Sequence, residues 1–342
     1  MYRSEISIDL EAVRNNAQQV ISAIGSSELW AVVKANAYGH GAALVAQAAL
    51  EAGAKALCVA TVGEGLELRH RHPDVRIIVM GPVHPREVVD AGQGQLECMA
   101  YDEASLKRLT REVPVHIKVN LGLNRWGFSE LPKDLPLSTV GAFGHFSHPY
   151  SDRQMMLKQL DEFTSRINGI SGVTRHVANS SATLELPNSH LDAVRCGSSL
   201  LGLSFSATVR MRANLRPVLR WTSYLAQTRR LAPGEAVGYD AAFVAQEPML
   251  MGVVPVGYGD GFSSRLAGTR ILVGDEPAQV IGAIASDALA IALRRPAPVG
   301  SPVTLVGDGI RLEDHLKFAR MTNWELCTAL PTARSRIRRR VV

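Results

Sequence analysis

The stretch Leu29-Trp30-Ala31-Val32-Val33-Lys34-Ala35-Asn36 is followed directly by the alanine-rich segment Ala42–Lys55. The first is a short apolar run ending in polar residues, as a buried strand reads, and the second has the apolar spacing of a helix packed on one face. Strand then helix is the unit of a parallel sheet, and the unit recurs along the chain. Strands are expected at Trp30–Asn36, Ala56–Thr61, Arg76–Gly81, Leu96–Tyr101, Val115–Asn120, Thr139–Phe146, Thr174–Ser180 and Ala193–Ser198. Helical patterns lie between them, among them Asp102–Val113 and Arg153–Ile170, the latter with Asp152 placed as an N-cap. Eight such units close a (β/α)8 barrel, with an open, doubly wound sheet as the alternative. The weakest unit is Phe128–Leu137, short and proline-rich, and an extra amphipathic stretch, Leu10–Ile24, precedes the first barrel strand.

After about residue 215 the pattern changes to strands without intervening helices: Arg216–Leu231, Gly234–Tyr239, Pro248–Tyr258, Thr269–Val273, Ala278–Leu293 and Pro302–Val306. Turn sequences at 233–234, 274–275 and 307–309 punctuate them. The expected fold is therefore α/β plus β. Residues 10–215 form a TIM-like barrel, and residues 216–342, joined by the strand-like start 1–9, form a mainly antiparallel β-domain.

Composition narrows the function classes. In 342 residues, 46% are hydrophobic and 20% charged, which excludes a disordered chain. The net charge of +5 owes much to the run Ala333-Arg334-Ser335-Arg336-Ile337-Arg338-Arg339-Arg340, read as a solvated C-terminal edge, since no nucleic-acid motif accompanies it. The charged N-terminus and the absence of a long apolar run predict a cytoplasmic protein without membrane attachment. Cys58, Cys98, Cys196 and Cys327 form no C-x-x-C pair and read as reduced core thiols. His145 and His148 lack a third ligand at convincing spacing, so no metal is expected. Gly257-Tyr258-Gly259-Asp260-Gly261 lacks the strand-to-helix setting of a dinucleotide loop.

In a (β/α)8 barrel the active site lies at the C-terminal strand ends, so polar residues closing the apolar runs are the candidates. They are Lys34 and Tyr38 after the first strand, Lys118 and Arg125 after the fifth, His145 after the sixth, His176, Asn179 and Ser180 after the seventh, and Arg195, Gly197 and Ser198 on the eighth. Asn179-Ser180-Ser181 and Gly197-Ser198-Ser199 sit where such barrels often hold a phosphate, and small residues let the backbone approach an anion. Lys34 follows a run apolar enough to be buried, a setting that suits imine chemistry. A phosphate site beside such a lysine suggests pyridoxal 5′-phosphate (PLP), with a lysine-bound phosphosugar aldolase as the competing barrel reading.

Ala31-Val32-Val33-Lys34-Ala35-Asn36-Ala37-Tyr38-Gly39-His40-Gly41 resembles the PLP-lysine motif of alanine racemases. Further resemblances follow in that family's order: Glu5–Leu10, Arg125-Trp126-Gly127, Gly144-His145-Phe146, His176–Ser180, Val194–Gly197, Val237-Gly238-Tyr239 and Val256–Gly261. The resemblance spans essentially the whole chain. It implies that Lys34 joins PLP and moves a proton on one face of Cα, while Tyr239 of the other subunit of a homodimer acts on the opposite face. It implies PLP contacts from Tyr38, Arg125, His176, Asn179, Ser180, Arg195, Gly197 and Ser198, with Arg195 facing the pyridine nitrogen and His145 supporting the network around Arg195 and Tyr239. Substrate contacts would come from Arg125, Tyr258, Ser286 and Asp287. The implied product is D-alanine for peptidoglycan.

Several positions depart from the family pattern. The usual Asp-Thr-Gly-Met is Asn120-Leu121-Gly122-Leu123, and the usual Met-Asp is Ser286-Asp287. Ser264 and Ala283 stand where corridor arginines are common, and Thr328 where a phosphate-contacting tyrosine is expected. Lys118 matches a lysine carbamylated in some relatives. Serine or a broader set of amino acids is the alternative substrate class. A related amino-acid decarboxylase and a non-catalytic PLP carrier are the alternative functions.

Overall fold

The computed structural model describes residues 3–109, 113–148, 152–203, 211, 213–319, 321–330 and 336–342. The chain divides into two compact units, Glu11–Arg216 and Met1–Leu10 with Pro217–Val342. Strand β1 (Glu5–Ile8) belongs to the second of these.

The unit Glu11–Arg216 is built on β2 (Glu28–Val32), β3 (Ala56–Val59), β4 (Arg76–Val79), β5 (Glu97–Ala100), β6 (Val115–Lys118), β7 (Thr139–Phe143), β8 (Thr174–His176) and β9 (Ala193–Cys196). These form one eight-stranded sheet in the order β8-β7-β6-β5-β4-β3-β2-β9, parallel throughout. The first and last members meet through a parallel bridge between Asn179 and Arg195 and through Arg195 N–H donating to Ala178 O at 3.0 Å, so the sheet curls into a nearly closed barrel. Its interior packs Trp30, Val32, Ala56, Cys58, Ile78 and Ala193.

Every expected barrel strand is present, and every one ends earlier than its predicted C-terminal boundary. The helix Leu10–Ile24 forms as expected and buries Ala12, Val13, Ala17, Val20 and Ile24. Ala42–Lys55 shortens to Ala42–Glu51, followed by Gly53 at φ +115°. Glu103–Leu109 is the observed part of Asp102–Val113, whose residues 110–112 lie outside the described ones. Asp152 caps Arg153–Arg166 by accepting the Met155 N–H at 2.9 Å. The segment 128–137 carries no helix.

The other unit adds β10 (Leu219–Tyr224), β11 (Gln227–Leu231), β12 (Ala236–Val237), β13 (Phe243–Val244), β14 (Met249–Val254), β15 (Arg270–Val273), β16 (Glu276–Ile281), β17 (Leu289–Leu293), β18 (Pro302–Val306) and β19 (Arg338–Val341). Nine strands pair in the order β11-β14-β17-β16-β15-β18-β10-β1-β19, and β12 pairs with β13 separately. Pairing is antiparallel except between β1 and β19. Arg216–Leu231 and Ala278–Leu293, each read as one strand, are two strands each: β16 and β17 pair as a hairpin, whereas β10 pairs with β1 and β18 and β11 with β14. Sequence alternation does not reveal a break that lacks a glycine or proline signal, as at Leu225-Ala226, where Leu225 N–H donates to Ser301 O and Ala226 N–H to Val253 O on different neighbours.

The arginine-rich terminus is exposed at Arg338 and Arg340, as expected of a solvated edge, but it is also ordered as a strand. Arg338–Val341 is an edge strand paired with β1, Ile337 is buried, and Arg336 Nε donates to the buried Asp260 at 2.8 Å. A row of charged residues suits a sheet edge because it discourages further strand pairing. Ala333–Ser335 lie outside the described residues. The four cysteines are buried and unbridged, and burial pushes the Cys58 and Cys98 thiols up to about 12. Among the described residues no helix is long and apolar enough to cross a membrane.

Candidate active site

Lys34 does not sit on a strand. It opens a turn in which Ala35, Asn36, Ala37 and Tyr38 have φ between +50° and +54°. A left-handed turn costs non-glycine residues roughly 1–2 kcal/mol each, so the surrounding structure must hold it. Ala35 N–H donates to Glu64 Oε1 at 2.6 Å, Gly41 N–H to Asn36 O at 2.9 Å, and Ala42 N–H to Asn36 Oδ1 at 2.8 Å. The other oxygen of Glu64 accepts Ala60 N–H at 2.8 Å and Thr61 N–H at 3.3 Å. Glu64 therefore clamps the lysine turn to the loop after β3. Sequence reasoning missed it, although Thr61-Val62-Gly63-Glu64 carries the capping-box signature. Glu64→Ala should orphan these N–H groups and lower stability by about 2–3 kcal/mol, measurable by urea denaturation.

Lys34 is half-buried, with Nζ 5.8 Å from the Tyr38 ring centroid. Burial, then the charge of Arg125, lowers its pKa, while Glu64 opposes the shift. Tyr38 in turn lies against Gly197, where a Cβ would stand 2.9 Å from Tyr38 Cε2 and 3.1 Å from Val32 O. Ser180 Oγ accepts the N–H groups of Gly197 at 3.1 Å and Ser199 at 3.2 Å, tying the tip of β8 to that of β9. Ser198 is buried beside them. Asn179 acts structurally, its Oδ1 capping the helix Ser180–Glu185 by accepting Ala182 N–H at 3.1 Å.

Arg195 is buried and held by acceptors. Nη1 donates to His176 Nδ1 and His176 O, each at 2.8 Å, and Nη2 to Gly144 O at 2.8 Å, with His145 Nδ1 at 3.5 Å. Burial pushes the guanidinium down to about 10, which leaves it charged at neutral pH. Burial, followed by the charge of Arg195, holds His145 and His176 well below the usual imidazole range.

Lys118 is buried with Nζ 5.0 Å from the Phe143 ring centroid, and burial with Arg195 and Arg125 pushes its pKa far down. Arg125 is exposed on the loop after β6. Asn120 shapes that loop, its Oδ1 accepting Gly122 N–H at 3.2 Å and Asn124 N–H at 3.1 Å. The family's aspartate would accept the same two bonds. It could not donate as Asn120 Nδ2 does to Asn124 Oδ1 at 2.9 Å.

Within the β-rich unit, the segment 282–287 gathers the other candidates. Gly238, at φ +81°, leads into Tyr239 and approaches so closely that a Cβ would stand 2.9 Å from Ala283 N. Tyr258 N–H donates to Ala285 O at 3.0 Å and Gly259 N–H to Ser286 O at 2.9 Å. Asp260 anchors this turn, accepting Gly257 N–H at 3.0 Å, Arg3 Nη2 at 3.2 Å and Arg336 Nε at 2.8 Å, and Arg3 Nη2 also reaches Asp287 O. Tyr239, Tyr258, Ser286 and Asp287 thus share one loop cluster, with Tyr239 72% exposed. Ser264 is exposed and Thr328 is exposed at the end of Asn323–Thr328. Among the described residues no three His, Cys, Asp or Glu side chains converge as a metal-ligand set.

Residues 8–205 match the family model for the alanine racemase N-terminal domain, and residues 218–341 match that for the C-terminal domain. The chain belongs to the alanine racemase family. An alanine racemase of Listeria monocytogenes serotype 4a (strain HCC23) is 32% identical over 348 aligned residues, covering 95% of each chain. Alanine racemase 1 of Bacillus subtilis (strain 168) is 35% identical over 321, covering 88% of this chain and 82% of its own. Among solved structures, alanine racemase from D-cycloserine-producing Streptomyces lavendulae superposes with a TM-score of 0.92 at 29% identity, covering 100% of this chain and 97% of its own. Biosynthetic alanine racemase from Pseudomonas aeruginosa gives 0.91 at 29% identity, covering all of both chains. Like these alanine racemases, the chain pairs a barrel of eight parallel strands with a mainly antiparallel β-rich unit.

Proposed function

We propose that this member of the family is a PLP-dependent isomerase that interconverts L- and D-alanine and works as a cytoplasmic homodimer, supplying D-alanine for peptidoglycan. The observation that carries this reading is Arg195, charged and held at the barrel mouth by His176 and Gly144 O through both terminal nitrogens, near the Lys34 amine, whose pKa burial lowers. The residues present fit PLP. Gly197 lets the Tyr38 ring and Val32 O approach its bare Cα, and with Ser180 and Ser198 alongside, these are the small and hydroxyl residues that would hold the phosphate. The cations Arg125 and Arg195 suit its negative charge. When bound, PLP supplies an electron-accepting ring that makes a Cα proton of an amino acid removable.

The rest falls to the protein. A donor-only guanidinium at the ring nitrogen gives that nitrogen a hydrogen bond but no full proton. This limits the electron withdrawal that would favour carboxylate loss, and it favours proton return over decarboxylation. His176 holds Arg195 and His145 lies beside it. Arg125 binds the substrate carboxylate, and Tyr258, Ser286 and Asp287 line the substrate side contributed by the partner. Lys34 Nζ moves the proton on one face of Cα, and the partner subunit's Tyr239 does so on the other. Inverting a stereocentre without turning the substrate needs two opposed groups, and the exposure of Tyr239 is what a residue lent to a neighbour requires.

PLP-loaded protein given L-alanine in deuterium oxide should yield D-alanine carrying deuterium at Cα. Carbon dioxide release instead would indicate a decarboxylase, and no exchange a carrier. Turnover of a panel including serine would rank the substrates.

A further inference from the structure

Arg195 is the upper end of a line of buried polar groups that runs through the barrel. His176 Nε2 lies 2.9 Å from His116 Nδ1, and His116 Nε2 lies 2.6 Å from Glu97 Oε2. Glu97 is gripped by a fork from Arg76, Nε to Oε1 at 2.8 Å and Nη2 to Oε2 at 2.9 Å. Glu97 and Arg76 open β5 and β4, at the opposite end of the strands from the mouth. Such barrel interiors are ordinarily filled by apolar layers, and a polar line in that setting is stable only when every member is satisfied.

The protonation of this line follows from its two ends. A guanidinium has donors only, so His176 Nδ1 is bare and its proton is on Nε2. His176 Nε2–H then donates to His116 Nδ1, which must also be bare. His116 Nε2–H donates to the Glu97 carboxylate. Burial alone would raise the Glu97 pKa, but the bonds from His116 and Arg76 outweigh it and push the group down to about 2, so it is ionised. An imidazolium at His116 is excluded, because it would leave His176 without a proton on either nitrogen. Packing holds the rings in place. Phe143 stacks on His176 at 5.0 Å with a 4° interplanar angle, and Trp30 covers it at 4.5 Å. Gly141 leaves the space for His116, since a Cβ there would overlap its ring.

We propose that Glu97, acting through His116 and His176, is a positioning residue for Arg195: the line fixes both imidazoles as neutral Nε2–H tautomers and presents a bare, electron-rich Nδ1 that holds the guanidinium in place and keeps its proton on it. The consequence for catalysis rests on the racemase reading above. The tautomers do not.

The experiment is long-range proton–nitrogen NMR on cofactor-free protein labelled at histidine, beside steady-state kinetics of the PLP-loaded protein. Wild-type His116 and His176 should each show one neutral Nε2–H tautomer. Glu97→Leu should lose that single tautomer at His116 and lower kcat by about 10-fold, with KM and PLP content little changed. Glu97→Gln, which keeps an acceptor for His116, should restore the tautomer and most of kcat. Should Glu97→Leu not fold, Gly141→Ala displaces the His116 ring without removing a charge and should have the same two effects. An Nδ1–H tautomer at either wild-type ring, or intact tautomers and unchanged kcat in folded Glu97→Leu and Gly141→Ala, would overturn the proposal. A wild-type protein that turned over no alanine would sink the racemase reading while the NMR arm still decided the relay.

Discussion

Lys34→Ala is expected to abolish covalent attachment of PLP and to lower alanine racemisation by at least about 10³-fold, since in the proposed mechanism one side chain both anchors the cofactor and serves as a base. Borohydride reduction followed by peptide mass analysis should mark Lys34 in the wild type and leave the variant unmodified. Marking elsewhere, or racemisation persisting in the variant, would move the chemistry to another amine. A stability measurement separates this from unfolding. Burial and then Arg125 lower the Lys34 pKa from 10.5 in the folded chain. Between that lowered value and 10.5 the unfolded chain holds a proton that the folded chain has released. Wild-type cofactor-free stability therefore gains from this group as pH rises through the window. The desolvation cost is full below the window and gone above it. The alanine variant lacks this cost, so its cofactor-free form should be the more stable of the two near neutral pH, with the difference closing as the pH passes 10.5.

Tyr239→Phe should leave the fold and PLP content unchanged, because the side chain is 72% exposed and touches little of its own chain. Surface changes of this kind alter stability by about 0.5 kcal/mol or less. Racemisation should fall by about 10²–10⁴-fold, the range for loss of a general acid–base group. The equilibrium between two enantiomers has a constant of one, so both directions must fall together. Isotope exchange divides them: Cα exchange with solvent should persist for the one enantiomer whose proton faces Lys34 and fail for the other. Equal exchange from both would leave Lys34 as a single mobile base and remove Tyr239 from the reaction.

The two predictions differ in how far local sequence carries them. Lys34, Arg195 and His176 were legible because polar residues closing apolar runs stand out, and the strand-and-helix alternation placed those closures at a barrel mouth. Glu64 left a capping signature, but its second oxygen reaches Ala35, 29 residues away, and no local pattern encodes that reach. His116 and Glu97 are polar residues in separate strands. Their connection depends on the register of β5, β6 and β8 and on the bare Cα of Gly141. Asp260 lay in a motif noticed for its glycines, whereas its partners Arg3 and Arg336 come from the two ends of the chain.

The order of elements, the change from alternating to strand-only segments and the chemical groups at the strand ends are all present in the linear chain. These are written in periodicity and residue type over a few turns of chain. The left-handed turn after Lys34, the edge strand made from a basic tail and the arrangement of the buried histidines arise only on folding. Each of these is a balance between a local cost, strain or burial of charge, and hydrogen bonds supplied by residues distant in the chain. That balance is struck only once the sheets have closed.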